Sequence, residues 1–479
     1  MKDQQHPANS AAAPANGPAP RPEQAADGCP EQAAEARLAQ AAAGCPAPPA
    51  LEYGLIGAKL GHSYSKPIHQ QLGGYRYELC PLPTEAEARA FLERRAFKGI
   101  NVTVPYKQLV IPYCDELDER AAAIGAVNTV VRRGGRLYGY NTDFSGMEYL
   151  LACLGVSLAG RSLLILGTGG TCRTALAVAK HQGAKSILVA SRRPAGGAAL
   201  PEGARVVSYE EAARHPEVEV LINTSPAGMY PQVGECLLDL DALPNLRAVA
   251  DVIYNPFKTE LILRAEERGI PAESGFGMLV AQAVYAAEHF MGKKLDEAAI
   301  PRITAQMRGE IANLSLIGMP SSGKTSVGRQ LAKRLNKAFV DLDAEIVKTA
   351  GMPIPQIFAQ QGEGGFRQLE AEVTARFAKE HGQVLSCGGG VVKTAGNVRA
   401  LRQNGPVLFL DRPLDQLSVG GGRPLSKSAE ALAAMEAERR PLYLAAADAV
   451  VPNNTTFNAA VRAAMEGFYE AIDPERAKP

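Results

Sequence analysis

From Glu52 onward, short apolar runs alternate with stretches whose apolar residues recur at helical spacing. The runs Glu52–Ile56, Tyr75–Leu79, Gly99–Val104 and Val127–Arg132 read as strands, and such alternation predicts an α/β architecture. A second unit starts with strand Ser162–Leu166, turns through Gly167-Thr168-Gly169-Gly170, enters a helix over Thr174–His181 and returns as strand Ser186–Ala190. A third begins with the apolar run Ile311–Ile317, a glycine-rich turn and a helix over Thr325–Leu335. There, Phe339–Asp343 predicts a strand ending with Asp341 and Asp343 on one face, and Val384-Leu385 another strand. The charged, helically patterned Met291–Arg308 predicts a short helix leading from the second unit into the third.

The first fifty residues break this pattern. They are dominated by Ala, Pro, Gln and Glu and cannot bury enough apolar surface to offset chain entropy, so 1–50 reads as a disordered tail with a possible short helix over Pro30–Ala43. The remaining length suits about three folding units. With 46% hydrophobic residues and a net charge of +1, the chain lacks the basic excess of a nucleic-acid binder. It has no apolar run of membrane-spanning length, and its eight cysteines show no metal-ligand spacing. A cytoplasmic metabolic protein with reduced thiols is the expectation.

Two turns carry phosphate chemistry. Gly318-Met319-Pro320-Ser321-Ser322-Gly323-Lys324-Thr325 fits G-x-x-x-x-G-K-[ST] at every fixed position, with a strand before it and a helix after it. That order aims backbone N–H groups and a helix N-terminus at a polyphosphate, with Gly318, Ser321, Ser322 and Gly323 forming the cradle. Lys324 then reaches the β and γ phosphates of ATP, and the Thr325 hydroxyl holds Mg²⁺. In the second unit Gly167, Gly169 and Gly170 suit a dinucleotide pyrophosphate, although Cys172 stands where G-x-G-x-x-G has its third glycine. The following strand ends in Ser191-Arg192-Arg193 with no acid nearby, which favours the 2′-phosphate of NADPH over NADH.

The N-terminal unit adds clusters of small polar groups: Ser63-Tyr64-Ser65, Asn101-Val102-Thr103-Val104-Pro105-Tyr106-Lys107, Gly125-Ala126-Val127-Asn128-Thr129 and Asn141-Thr142-Asp143. With the glycine turn, Asn223-Thr224-Ser225-Pro226, Asp251-Val252-Ile253-Tyr254-Asn255-Pro256 and Gly277-Met278-Leu279-Val280-Ala281-Gln282, the chain closely resembles shikimate dehydrogenases from about Glu52 to Leu295. The resemblance implies substrate contacts at Ser63, Ser65, Thr103, Asn128, Asp143, Tyr254 and Gln282. It also implies a catalytic pair, Lys107 and Asp143, with Tyr254, Asn223 and Met278 bordering the nicotinamide. Lys66 departs from the proline that many relatives carry after the second serine.

From about Ala312 to Tyr469 the chain resembles shikimate kinases. Asp341-Leu342-Asp343, Gly362-Glu363-Gly364-Gly365-Phe366-Arg367-Gln368-Leu369-Glu370, Gly388-Gly389-Gly390, Arg423-Pro424-Leu425 and Arg439-Arg440-Pro441-Leu442-Tyr443 stand in family order. This implies that Lys324 and the lid residue Arg423 stabilise the transferring phosphoryl and that Thr325 and Asp341 hold Mg²⁺. It implies further that Asp343 orients the attacking hydroxyl, Arg367 and Arg439 clamp a carboxylate, and Gly389 and Gly390 let backbone approach the ring. The lid is short and lacks the arginine that many relatives place upstream of R-P-L.

Together the resemblances imply a shikimate dehydrogenase followed by a P-loop, NMP-kinase-like α/β domain. The expected boundaries are an α/β substrate domain over 51–152, completed by 276–296, a Rossmann NADP domain over 153–275, a linker over 297–311 and the kinase over 312–479. The implied small-molecule substrates are 3-dehydroshikimate and shikimate, without nucleic acid or membrane. Alternatives stay open at this point: a half that prefers quinate or is impaired, or a metabolite-sensing regulator that kept the folds.

Overall fold

The computed structural model describes residues 51–61, 63–194, 203–418 and 428–473. The tail with its expected helix, His62, and the lid with Arg423 lie outside the described residues.

The first sheet contains β1 (Tyr53–Gly57), β2 (Tyr77–Pro81), β3 (Gly99–Val102), β4 (Glu116–Leu117), β5 (Thr129–Arg133) and β6 (Arg136–Tyr140), in the order β2-β1-β3-β5-β6-β4. β1 pairs in parallel with β2 and β3, whereas β5 runs antiparallel to β3 and β6. Ile56, Ile100, Val130 and Leu137 are fully buried against helix Glu85–Arg94, whose start is fixed by a reciprocal Thr84–Glu87 capping box.

The second sheet is wholly parallel: β7 (Ser162–Leu166), β8 (Ser186–Ala190), β9 (Ala204–Val207), β10 (Val220–Asn223), β11 (Ala248–Asp251) and β12 (Ala272–Ser274), in the order β12-β11-β10-β7-β8-β9. Its strands are apolar on both faces because both are covered: Leu163 and Ile165 face Cys172 and Ala175, while Leu164 and Leu166 face Leu243 and Leu261. Strand order reverses at β7, which opens a crevice beyond the carboxyl ends of β7 and β10. The chain then returns to the first sheet through helix Phe276–Met291, which packs along helix Thr142–Cys153. Gly99 has no side chain for a concrete reason: a Cβ there would lie 2.5 Å from Phe290 of the returning helix.

The third sheet contains β13 (Leu314–Ile317), β14 (Ala338–Asp341), β15 (Gln383–Ser386), β16 (Val407–Asp411) and β17 (Ala449–Pro452), in the parallel order β14-β15-β13-β16-β17. Two details differ from expectation. Ile311 closes helix Ala299–Ile311 rather than opening β13, and Asp343 lies in the first turn of helix Leu342–Ala350 rather than at a strand end. In the second case Asp341 caps the helix by accepting from Asp343 N and Ala344 N, so the chain turns helical directly after the first acid.

All three sheets belong to one compact unit. Helix Ala299–Ile311, over the stretch expected as a linker, buries Ile300, Ile303 and Met307 against Val280 and Val284 of the returning helix. Its last carbonyls, with Ala312, are held by the third unit: Lys337 Nζ donates to Glu310 O at 2.8 Å and Ala312 O at 2.7 Å. Phe257, in the loop after β11, packs against both that cluster and the core around β13.

Candidate functional site

A cavity of 410 Å³ lies at the end of the first sheet, facing the second. It is lined by Ser63, Ser65, Thr103, Lys107, Asn128, Asp143, Tyr254, Met278 and Gln282, so nine residues singled out in the sequence meet in one place. Ser65 opens helix Ser65–Leu72 and its N–H donates to Ser63 Oγ at 3.2 Å. Next to it Lys66 pairs with Glu78 at 2.6 Å, outside the cavity lining. Asp143 occupies the first turn of helix Thr142–Cys153, where the helix dipole favours a carboxylate, and accepts from Lys107 Nζ at 2.6 Å. Asn128 braces that helix start, accepting from Thr142 N at 2.8 Å. Burial raises the Tyr254 pKa, so it presents a neutral hydroxyl.

A second cavity, of 690 Å³, follows β7 and is lined by Gly167, Gly169, Ser191, Arg192 and Arg193. Gly167 has φ 93°, and a Cβ there would come within about 3.0 Å of Ser225, so the turn requires glycine. Gly169 and Gly170 face open space at the N-terminus of helix Gly170–His181, which leaves room for a pyrophosphate. Cys172 is fully buried in that helix and packs in the core beneath the turn. Asn223, expected to border the nicotinamide, turns its side chain inward. Its side chain is buried, donating to Asp251 at 3.0 Å and accepting from Ser225 N at 3.1 Å. Tyr209 and Glu235 line this cavity without having been signalled by any motif.

The third cavity, of 320 Å³, lies at the carboxyl ends of β13, β14 and β15. Gly318, Ser321 and Gly323 take positive φ, and a Cβ on Gly318 would meet Leu410 O at 2.7 Å. The resulting loop ends at helix Lys324–Leu335. Lys324 Nζ folds onto Gly318 O and Met319 O, both at 2.9 Å. Thr325 Oγ1 donates to Asp341 Oδ2 at 2.9 Å, bringing together a hydroxyl and a carboxylate, the oxygen donors that suit Mg²⁺ with water and phosphate oxygens completing its shell. Asp343, Arg367, Gly389, Gly390 and Arg439 line the same cavity with Ser321, Gly323, Lys324 and Thr325. Gly318 and Ser322 belong to the loop backbone but lie outside that lining. A Cβ on Gly389 would lie 2.9 Å from the Pro320 ring, and one on Gly390 would lie 2.2 Å from the Arg367 guanidinium and displace it. Arg439 Nη1 donates to Gly389 O at 2.9 Å. Glu370, which closes the Gly362–Glu370 motif but was given no role from sequence, accepts from Arg367 at 2.7 Å and is buried; burial raises its pKa against the pull of Arg367.

Residues 55–130 match the family model described as the shikimate dehydrogenase substrate binding domain. A shikimate dehydrogenase (NADP(+)) from Clostridium perfringens is 34% identical over 265 residues, which is 98% of that protein and 53% of this chain. The chain belongs to the shikimate dehydrogenase family. A Geobacillus kaustophilus shikimate dehydrogenase (NADP(+)) is 37% identical over 257 residues, 92% of its length and 50% of this chain. Among solved structures, a chorismate mutase/shikimate 5-dehydrogenase fusion protein from Clostridium acetobutylicum is 35% identical, with 53% of this chain and 95% of that chain covered and a TM-score of 0.50. Residues 320–469 match the shikimate kinase family model, so a kinase part follows the dehydrogenase part.

Proposed function

We propose that this chain catalyses two consecutive reactions, reduction of 3-dehydroshikimate to shikimate with NADPH and phosphorylation of shikimate to shikimate 3-phosphate with ATP. One observation carries the reading: a single chain joins the Lys107–Asp143 cavity, set beside a dinucleotide turn, to a phosphate-loop cavity lined by two arginines. The domains assigned to these tasks are 51–152 with 276–296, 153–275 and 312–479.

In the first cavity NADPH, when bound, supplies the hydride to the ketone carbon. Lys107 stabilises the developing alkoxide and gives it a proton, while Asp143 fixes the ammonium group. Ser63, Ser65, Thr103, Asn128, Tyr254 and Gln282 orient the hydroxyls and carboxylate of the substrate. Arg192 and Arg193 face the space for the 2′-phosphate.

In the kinase cavity ATP, when bound with Mg²⁺, supplies the γ-phosphoryl group. Asp343 positions the attacking hydroxyl and accepts its proton, and Lys324 neutralises charge on the transferring group. Arg367 and Arg439 hold the substrate carboxylate through planar guanidinium groups. Arg423 is assigned to the phosphoryl group from its motif alone.

The test is a coupled assay starting from 3-dehydroshikimate with each cofactor omitted in turn. Without ATP the reaction is expected to stop at shikimate, and without NADPH nothing is consumed. Turnover to neither product with both cofactors present overturns the reading.

A further inference from the structure

The kinase part touches the dehydrogenase part at a loop that forms its catalytic cavity. Residues 252–258 follow β11, and Tyr254 from this loop lines the Lys107 cavity. The neighbouring Asn255 receives a hydrogen bond through Oδ1 from His381 Nε2 of the kinase part, at 3.0 Å. Among the described residues His381 Nδ1 has no hydrogen-bond partner, and burial lowers the His381 pKa, so the neutral ring carries its proton on Nε2. Phe257 stacks edge-on against Phe276 at 5.1 Å and lies 6.2 Å from the His381 ring. At the end of the loop Lys258 N donates to Gln403 O at 2.9 Å. The Gln403 side chain donates in turn to Val233 O at 2.9 Å, in a segment that Tyr230 N ties back to Asn255 O.

We propose that His381 and Gln403, both in the kinase part, are positioning residues for the dehydrogenase reaction, acting through the 252–258 loop on Tyr254. The inference rests on the dehydrogenase activity proposed above. A free loop samples several backbone states, and each fixed contact removes some of them before substrate binds.

The experiment uses the full-length chain and measures NADP-linked oxidation of shikimate beside kinase turnover. His381→Phe keeps the ring against Phe257 and removes the donor, His381→Gln restores a donor, and Gln403→Ala cuts the tie to Val233. For His381→Phe and Gln403→Ala the KM for shikimate in oxidation is expected to rise about fivefold, as for one lost hydrogen bond, with the kinase KM unchanged. His381→Gln is expected to return most of the loss. Unchanged oxidation kinetics in both folded variants overturn the proposal, as does an equal rise of KM in both reactions. No oxidation by the unsubstituted chain would overturn the underlying reading as well, which separates the two failures. If His381→Phe does not fold, Gln403→Ala alone decides by the same criterion.

Discussion

Lys107 and Asp143 are 36 positions apart in the chain, yet their charged atoms meet at 2.6 Å inside a cavity walled by small polar side chains. The geometry follows from β3 ending just before the turn that carries Lys107 and from β6 ending just before the helix that carries Asp143. Both side chains remain partly open to the cavity, so solvent screening leaves the pair little weight in stability.

Lys107→Ala is expected to lower reduction of 3-dehydroshikimate by about 10²- to 10⁴-fold, the range for loss of a positioned proton donor. Phosphorylation of added shikimate should be unaffected. Measured in the same preparation, equal loss of both activities would argue against separate sites.

Lys324→Ala provides the converse. Phosphoryl transfer depends on charge neutralisation, and Lys324 lies at the start of helix Lys324–Leu335, to which the proposed reaction assigns the phosphates. The variant should retain NADP-linked oxidation at the unsubstituted rate and lose kinase turnover by on the order of 10²-fold or more. Kinase turnover within about threefold of normal would remove Lys324 from the proposed role.

Arg192 lines the dinucleotide cavity directly after β8, close to Ser191. Arg192→Ala should raise KM for NADPH by roughly tenfold, as expected for losing a charge-assisted contact to the 2′-phosphate, and leave KM for NADH almost unchanged. Steady-state kinetics with both cofactors checks this, and parallel increases would mean that Arg192 contacts a feature the cofactors share.

Many of the residues lining the three cavities were legible because they fall in short stretches at the ends of strands, where a parallel sheet collects its ligands. Ser321, Gly323, Lys324 and Thr325 are nearly contiguous, and Asp341 follows an apolar run. What stayed hidden depends on distant pairing. His381 and Asn255 are 126 positions apart, Arg399 and Glu260 139, and a polar residue on a helix end or loop gives no local sign that it faces another domain. The direction of the Asn223 side chain was hidden for a related reason: a motif identifies a position, whereas the side chain is drawn to buried Asp251, 28 positions away. Ile311 read as strand because an apolar residue before β13 has the same local pattern whether it ends a helix or starts a strand.

Asp251 supplies the last prediction, in pH. Its side chain is fully buried and receives hydrogen bonds from Asn223 at 3.0 Å, Thr259 at 2.6 Å and Ile253 N at 3.0 Å. Burial raises its pKa from 3.8 to about 6, against the lowering effect of those three donors. Between these values the folded protein holds a proton that the unfolded chain has released, so stability falls as pH rises. The contribution is complete below the unfolded value and gone above about 6; at about 1.4 kcal/mol per unit it amounts to at most about 3 kcal/mol. Asp251→Asn cannot titrate. Its unfolding free energy, measured in urea at a series of pH values from 4 to 7, should therefore gain on the unsubstituted protein as pH rises, whatever fixed offset the substitution introduces. Parallel pH curves would show that the three donors hold the Asp251 carboxylate ionised over the whole interval and that burial does not prevail.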